Sequence, residues 1–598
     1  MQTIRLKQLR KKYDVILCDS MDALQFCYRN GLNKNIKVLS HSPSILLDKS
    51  IKSENLYKKW TRKKLIDYQK SILPFTELIF KKISQSSQYE NELATLSCIF
   101  ANQISNFILK LSHLNNNLRN KKILFIKLSS NLKNANNINP PWNTISSDLN
   151  IYNYNYTPNN YSSVSKNDKF MASFLKRLHL GGLETIIYRI AIKFNILNFF
   201  KKKSNIIVIN ENEMIIELVS KFFINGYKII DFRNINEHKN IKNNFNFNKF
   251  QSITKNIFKT RIKKWVSKNF QNACLKYIEN EFKTKILEYL NWKIAITEKF
   301  FIHRINEGMV LINHPSSPKG LAIKNICHKK NIKVISCQHG VTAEISNSHD
   351  YCLSQHDSSS SDIYIAFNKG SYNIANKNPF NQTKKQLLYG APKRYNRSEK
   401  LLSYFKKFDI LYLSNNLYSG NLGGVSTWTS DLEKAEIEIN IINILDKINK
   451  NIFFKPYPEI NKRYYEENPC LKVLKNKKNL IEIKNNYDSR YLLNKTNLII
   501  CATATSTVAW AIMSNTPTVF INFKYLAPLK PDVYDLFKKG LFLFDYDKNS
   551  FSTEISIFLN KSNNEIKYLW QKKTKYRELL KENFISTNTL FNIKNIIN

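Results

Sequence analysis

Residues 498–522 have the sequence LIICATATSTVAWAIMSNTPTVFIN, and this stretch decides the fold. Residues 498–501 are a short apolar run that predicts a buried strand, residues 506–514 have a helical composition, and residues 517–522 predict a second strand. Two neighbouring strands that are joined by a helix run parallel in a sheet. The stretch therefore predicts an α/β protein that is built on parallel sheets.

The same alternation continues outward over most of the 598 residues, which are too many for one hydrophobic core. The other predicted strands are 13–18, 37–40, 122–128, 205–210, 227–232, 309–313, 332–337, 362–367, 386–389, 408–413, 451–455 and 479–484. Five segments are predicted: an N-terminal α/β extension (1–130), a linker or long loop (131–170), a first parallel-sheet domain (171–395) with a helical insertion at about 248–305, a second such domain (396–563) and a C-terminal helix (564–598).

The chain is strongly basic, with 92 Lys and Arg against 46 Asp and Glu and a formal net charge of +46. The excess occurs together with Asn and Ile throughout the chain, whereas a nucleic-acid footprint would cluster on one helix or stripe. We interpret the charge as compositional bias and predict no nucleic-acid partner. It would still favour contact with anionic lipid headgroups or phosphorylated substrates.

The cysteines and the N-terminus indicate a cellular compartment. Nine cysteines occur without any CxxC pair, which argues against a zinc ribbon and fits a reducing cytosol. The basic N-terminus has no apolar core of a signal peptide, and no stretch approaches the roughly 20 apolar residues of a membrane span. We predict a cytoplasmic protein, either free or peripheral at the inner face of the cytoplasmic membrane.

Two histidines follow predicted strands of the first domain. Gln338-His339-Gly340 comes after strand 332–337, and His314 comes after strand 309–313. Parallel sheets present ligand-binding residues at these carboxyl ends. An imidazole titrates near neutral pH, so His339 is the candidate general base and His314 a second acid–base candidate. The structural alternative for His339 is a loop histidine that bonds to the backbone.

The second domain carries candidate phosphate-binding groups. Hydroxyl residues at 503–507 precede a helix whose free amide groups could bind an anion, although simple capping is the alternative. Lys455 at a strand end could meet a phosphate or could simply be solvated. A glycine-rich loop, 414–430, could approach phosphate oxygens. The predicted donor-binding residues are Gln338, Gly340, Ser414, Asn415, Lys455, Thr503, Thr505, Ser506 and Thr507.

Six short motifs follow one another between residues 309 and 543: Gln338-His339-Gly340, Gly390-Ala391-Pro392, Lys455-Pro456-Tyr457-Pro458, the 503–507 loop, Asn515-Thr516-Pro517-Thr518-Val519, and Asp535-Leu536-Phe537 with Gly540. In this order they resemble the GT-B glycosyltransferases of bacterial surface-polysaccharide synthesis. That wider group includes capsule-type transferases and CDP-glycerol glycerophosphotransferases. The chain before about Phe200 carries no motif of this group.

The resemblance implies two Rossmann-like parallel-sheet domains that face each other across a cleft. It implies transfer of a sugar from a nucleotide-activated donor to a capsule, lipopolysaccharide or glycolipid acceptor, with no obligatory metal or cofactor. The first domain would bind the saccharide or lipid-linked acceptor, with His339 near its hydroxyl. The second would bind the donor nucleotide, with Lys455 and the 503–507 loop near the phosphates.

Three positions depart from the resemblance, and alternatives stay open. Tyr457 stands where many relatives have His, Ala509-Trp510-Ala511 where many have a Glu, and Asn515 where Gly is commoner. One alternative is a polyol-phosphate transferase of the CDP-glycerol type. Another is a GT-B sugar-nucleotide epimerase, which needs acidic groups that these motifs do not supply. The remaining alternatives are a basic nucleic-acid-binding protein and an inactive relative that acts as a scaffold.

Overall fold

The computed structural model describes residues 2–56, 61–86, 91–113, 118, 120–128, 149–157, 171–194, 203–238, 245–347, 356–395, 408–415, 429–457, 468–483, 489–502, 506–526, 528–585 and 596. These residues form three sheets of six strands, and every strand pair in them is parallel. The predicted class, α/β with Rossmann-like parallel sheets, is confirmed.

The first sheet belongs to the N-terminal part of the chain and has the order β1-β6-β5-β2-β3-β4. Its strands are β1 (Gln2–Thr3), β2 (Val15–Cys18), β3 (Lys37–Ser40), β4 (Ser53–Asn55), β5 (Ile123–Leu128) and β6 (Ile151–Tyr156). Strand β6 lies inside the segment that was predicted to be a loop, so the loop prediction is wrong there. Its sequence, IYNYNY, alternates with period two, but its Asn content is typical of loops.

The second sheet is formed by strands between residues 203 and 388, and the third by strands between residues 408 and 545. The second has the order β8-β7-β9-β10-β11-β12, and the third β15-β14-β13-β16-β17-β18. Their strands are β7 (Lys203–Val208), β8 (Tyr227–Asp231), β9 (Met309–Ile312), β10 (Lys333–Cys337), β11 (Ile363–Ala366), β12 (Lys385–Leu388), β13 (Phe408–Leu413), β14 (Ile452–Lys455), β15 (Leu480–Glu482), β16 (Thr496–Cys501), β17 (Thr518–Asn522) and β18 (Phe542–Asp545).

These orders are those of doubly wound folds, and they fix where the chain changes direction. The switch falls between β7 and β9 in the second sheet and between β13 and β16 in the third. Every predicted strand is present within two residues at each end, whereas β1, β4, β6 and β18 escaped prediction.

Helices cover both faces of these sheets. They are α1 (Met21–Arg29), α2 (Pro43–Leu46), α3 (Arg62–Lys70), α4 (Ile72–Ser84), α5 (Asn91–His113), α6 (Met171–Lys193), α7 (Glu213–Ile224), α8 (Phe247–Trp265), α9 (Gln271–Ile302), α10 (Pro318–Lys329), α11 (Lys369–Lys377), α12 (Asp431–Leu445), α13 (Pro469–Leu474), α14 (Ser506–Met513), α15 (Pro531–Gly540), α16 (Phe551–Leu559), α17 (Asn563–Gln571) and α18 (Thr574–Phe584). Among the helices described, none is both long and apolar enough to span a membrane.

The second sheet contributes to two hydrophobic cores. Side chains alternate across a strand, and in β9 Val310 and Ile312 join the core shared with the first sheet and the helical insertion, α8 and α9. Met309 and Leu311 face the opposite way, into the core shared with the third sheet. The second sheet is therefore buried on both faces, and its strands can be almost entirely apolar.

The C-terminal region returns to the second sheet. The single predicted helix is instead two helices, α17 and α18, and the prediction is wrong at the turn between them. At the end of α18, the Phe584 carbonyl accepts a hydrogen bond from the Asn368 side chain at 2.7 Å. The Ile585 carbonyl accepts another from the Ala391 amide at 2.9 Å. These bonds link the C-terminal region to the first predicted domain.

Asn515 shows why this helix pair can pack on the third sheet. Its backbone φ is +59°, in the left-handed region that Gly and Asn tolerate best. Unlike Gly, its side-chain oxygen accepts hydrogen bonds from Arg577 at 3.2 Å and Lys581 at 3.3 Å. Its carbonyl accepts one from the Trp570 indole at 3.1 Å.

We expect Asn515→Ala to lower the free energy of unfolding by about 2–3 kcal/mol, because Ala is strained at a positive φ and cannot accept these bonds. Asn515→Gly should lose less, since it keeps an easy left-handed backbone. Differential scanning calorimetry at one scan rate should show a fall of several degrees in the midpoint of thermal unfolding for the Ala variant. Equal midpoints for Asn515→Ala and the wild type would contradict this account.

Candidate functional site

The candidate site lies at the carboxyl ends of β9 and β10, beside the switch point of the second sheet. Asn210, after β7, and Asn313, after β9, exchange two hydrogen bonds of 2.6 and 2.5 Å between side chain and backbone. This pair fixes the two strand ends on either side of the switch. The next residue, His314, has a φ of +56°, which directs the chain sharply out of the strand.

Gln338 organises the loop that follows β10. The side chain is 2% exposed, and its amide nitrogen donates to the Gly340 carbonyl at 2.9 Å and to Glu344 at 2.8 Å. Its amide oxygen accepts from the Phe367 backbone at 2.7 Å. These contacts fix the conformation of the loop. The donor-binding role of Gln338 stays a prediction.

His339 is paired with Asp357, a residue that lies in none of the sequence motifs. The imidazole Nδ1 lies 2.8 Å from one carboxylate oxygen and 3.1 Å from the other. The backbone amide of His339 also donates to this carboxylate at 3.3 Å. Asp357 is 4% exposed, whereas 28% of the His339 side chain is exposed. The dyad therefore presents the Nε2 side of the imidazole toward solvent.

Two further histidines surround the same carboxylate. His314 Nδ1 lies 3.6 Å from Asp357, and the His314 and His339 ring centroids are 5.3 Å apart. The ring of His356 lies 6.2 Å from that of His314. The two histidines that were predicted from separate strand ends are thus brought together, as parallel strands require.

The electrostatics distinguish the three histidines. The Asp357 carboxylate, against the opposing effect of burial, raises the pKa of His339 above its ordinary value. Partial burial lowers the pKa of His314, and stronger burial lowers the pKa of His356 to about 4. Burial opposes ionisation of Asp357, but the neighbouring His339 keeps the pKa of this carboxyl below its ordinary value. Asp357 therefore stabilises a charge on His339 in particular.

Three residues that were predicted to bind the donor, Ser414, Asn415 and Lys455, lie at the ends of neighbouring strands in the third sheet, beside its switch point. The Ser414 amide donates to the Lys455 carbonyl at 3.1 Å, and the Asn415 amide donates to Glu438 at 3.3 Å. Lys455 is buried, and its ammonium donates to the Pro456 carbonyl at 3.1 Å. Burial raises the pKa of Glu438 to about 7. Glu438 was not predicted, because it lies in the amphipathic helix α12 and outside every motif.

The two sheet edges meet at Gly340 and Ser506. Ser506 begins α14, and a Cβ added to Gly340 would lie 3.2 Å from the Ser506 Cβ. Thr507, in the first turn of α14, is half-buried. Thr503 and Thr505 lie outside the described residues, as does most of the glycine-rich loop after Asn415. The structure thus joins the 338–340 loop to the start of the helix that was predicted to bind phosphate.

A second contact between the domains involves Trp510 of α14. The Trp510 ring stacks on Tyr395 with centroids 3.9 Å apart, and the Arg490 guanidinium lies 5.2 Å above it. Arg490 also pairs with Glu213 at the start of α7. Trp510 therefore serves the contact between the domains.

Within the part of the chain that the structure describes, no group of three or more His, Cys, Asp and Glu side chains could hold a metal ion.

Comparison with known proteins gives structural likenesses only. No known protein family and no curated protein matches the chain. Among solved structures, the UDP-GlcNAc 2-epimerase of Neisseria meningitidis bound to UDP-GlcNAc is similar over 66% of this chain and 98% of its own, at 12% identity and a TM-score of 0.33. Anabaena HepE (Alr3699) in complex with UDP and glucose is similar over 64% and 96%, at 10% identity and a TM-score of 0.33.

Acinetobacter baumannii MurG is similar over 63% of this chain and 94% of its own, at 11% identity and a TM-score of 0.29. Scores of this size are too low to establish a shared fold or activity. The order and direction of the strands define the fold instead.

We expect Gly340→Ala to destabilise the protein by about 1 kcal/mol, because the new methyl crowds Ser506 across the domain contact. The crowded atom is the Ser506 Cβ, which Ser506→Ala retains and Ser506→Gly lacks. The cost of Gly340→Ala in thermal unfolding should therefore persist in the Ser506→Ala background and largely disappear with Ser506→Gly. The same cost in both backgrounds would show that the two loops are not in contact.

Proposed function

We propose that this protein is a glycosyltransferase of the GT-B type, which moves a sugar from a nucleotide-activated donor to a saccharide or lipid-linked acceptor. One observation carries the proposal: the His339–Asp357 dyad lies at a sheet edge whose loop contacts the start of α14 in the other domain. A base and an anion-binding helix end are the two groups that such a transfer needs. They come from different sheets and meet in one place.

In this mechanism His339 Nε2 removes the proton from the acceptor hydroxyl. Asp357 holds Nδ1, which fixes the ring orientation and stabilises the imidazolium that forms. The acceptor oxygen attacks the anomeric carbon as the bond from that carbon to the donor phosphate oxygen breaks. The amides at the start of α14, together with the buried Lys455, stabilise the negative charge on the departing phosphate.

The donor side uses the switch point between β13 and β16. Ser414 and Asn415 lie at one side of this switch and the 503–507 loop at the other, where doubly wound sheets bind nucleotides. Glu438 positions Asn415 by accepting its backbone amide. Thr503, Thr505, Ser506 and Thr507 remain the proposed phosphate ligands, with Gln338 and Gly340 shaping the opposite wall.

The acceptor proposal follows from charge. A net charge of +46 favours approach to anionic lipid headgroups, so we propose action at the inner face of the cytoplasmic membrane, on a surface-polysaccharide or glycolipid acceptor.

His339→Ala should lower the turnover number at least about 100-fold while donor binding survives, because it removes the base and no phosphate ligand. A thermal-shift screen with CMP-, UDP-, GDP- and CDP-linked compounds first identifies the donor, since a bound ligand raises the midpoint of unfolding. Transfer is then measured by product analysis, which also separates a transferred sugar from an epimerised nucleotide sugar.

The matched control for this experiment is His328→Ala, which removes an exposed histidine on α10. It should leave both turnover and donor binding unchanged. Undiminished turnover in His339→Ala would exclude His339 as the base, and epimerised donor as the sole product would exclude the transferase.

Asp357→Asn should move the acid limb of the pH profile of kcat/KM to lower pH. Only neutral His339 can accept a proton, so activity rises as pH passes upward through its pKa, which Asp357 holds above the ordinary value near 6.5. Loss of the carboxylate charge lowers that pKa, and the poorly oriented ring lowers the plateau. An acid limb at the same pH in both proteins would contradict the pairing of Asp357 with the base.

A further inference from the structure

A cavity of about 570 Å³ lies beyond the carboxyl ends of β17 and β18, outside the site described above. Its volume falls within the range of about 300–1,000 Å³ that is typical of small-molecule sites. Leu529 and Pro531 supply apolar wall, and the ring of Tyr534 adds an aromatic surface. Polar groups line the rest.

The polar wall is a connected set of hydrogen bonds. Asp545 accepts from the Asn522 side chain at 2.7 Å and from the Tyr534 hydroxyl at 2.7 Å. Asn522 is 9% exposed, and its side-chain oxygen has no hydrogen-bond partner among the described residues. A polar group that the described protein atoms leave unsatisfied therefore lies at this edge of the cavity.

The rim of the cavity is bonded to the loop of residues 338–347, which carries His339. Leu529 pairs with Ser346 in an isolated antiparallel bridge, and the Asn347 amide donates to the Pro528 carbonyl at 3.0 Å. Ser346 and Asn347 belong to the loop that begins at Gln338. The cavity therefore keeps a fixed position relative to His339, although it is built on the other domain.

The cavity lies along the sheet edge from the donor site. Strands are about 4.8 Å apart, so β18 lies roughly 10 Å from β16, whose end leads to α14. Strand β18 is the last in the sheet, and the cavity is lined by residues at and after its end. A saccharide acceptor of several rings could extend from the donor site to this cavity. A donor carries a single sugar, which lies next to its phosphate.

We propose that this cavity is an acceptor subsite that binds a neutral or amino sugar ring, one or two residues away from the ring that reacts. The proposal rests on the proposed transferase function. Carboxylate and amide oxygens accept sugar hydroxyls, lysines donate to them, and the Tyr534 ring faces the apolar side of a pyranose. The acceptor would then contact both domains, and not the first alone.

Charge selects the class of sugar. Three carboxylates line the cavity, Asp535, Asp545 and Asp547, against two ammonium groups, Lys524 and Lys548. The net charge of the lining is thus −1, which disfavours uronic or sialic acids. Among the described residues, these carboxylates form no group of ligands that could hold a metal ion, so we do not propose a metal ion as the occupant.

The test is saccharide binding to the full chain by saturation-transfer difference NMR. The probes are glucose, N-acetylglucosamine, a trisaccharide of each, and glucuronic acid. A neutral or amino trisaccharide should bind, and Tyr534→Ala and Asp535→Asn should each weaken that binding at least fivefold. Tyr534→Phe keeps the ring and should lose less than Tyr534→Ala. Asp532→Asn removes the same charge one turn away on α15, outside the cavity lining, and should bind as the wild type does.

The outcomes separate this subsite from the proposed function. If Asp535→Asn weakens saccharide binding but the wild type shows no transfer, the subsite proposal stands and the transferase proposal falls. If the wild type transfers the sugar and Tyr534→Ala and Asp535→Asn leave the KM for the acceptor unchanged, the transferase proposal stands and the subsite proposal falls. The subsite also falls if no neutral or amino trisaccharide binds the wild type at millimolar concentration, or if glucuronic acid binds best.

Discussion

The arrangement of the site depends on one buried carboxylate, Glu344. It accepts hydrogen bonds from the Gln338 side chain at 2.8 Å, the Asn368 side chain at 2.7 Å and the Thr342 amide at 3.0 Å. Burial raises the pKa of Glu344, and a buried carboxylate costs several kcal/mol unless the protein replaces its water. Because Asn368 also binds the Phe584 carbonyl, the loop after β10, the start of α11 and the C-terminal helix must all be in place together.

The N-terminal sheet adds a second constraint of the same kind. At its own carboxyl edge, His41 Nδ1 lies 3.1 Å from Asp19, and both side chains are buried. Lys110 on α5 interacts electrostatically with Asp19 and also with Asp431, the first residue of α12 in the third sheet's domain. The edge where parallel sheets usually bind ligands is therefore used for contact between domains. This supports a bracing role for the first sheet beside α12, the helix that carries Glu438.

Sequence patterns located the strands but not the partners of the site residues. Period-two and apolar runs mark strands because burial demands them, so the ends that carry His314 and His339 were predictable. Asp357 was not, because it lies in a crossover between strands and reaches His339 only through tertiary packing. Asn515 was predictable in part. Its position was noted in the sequence, but only the backbone angle and the bond from Arg577 show what the Asn side chain does there.

One carboxylate beside three imidazoles also assigns different roles to the two predicted catalytic histidines. Asp357 can balance one positive charge, and its two oxygens lie within 3.1 Å of His339 Nδ1 but 3.6 Å from the nearer nitrogen of His314. A charge on His339 further lowers the pKa of His314, which partial burial already lowers. His314 is therefore the less basic of the two rings. This difference favours His339 as the proposed base and leaves His314 to hydrogen-bond an acceptor group in the same proposal.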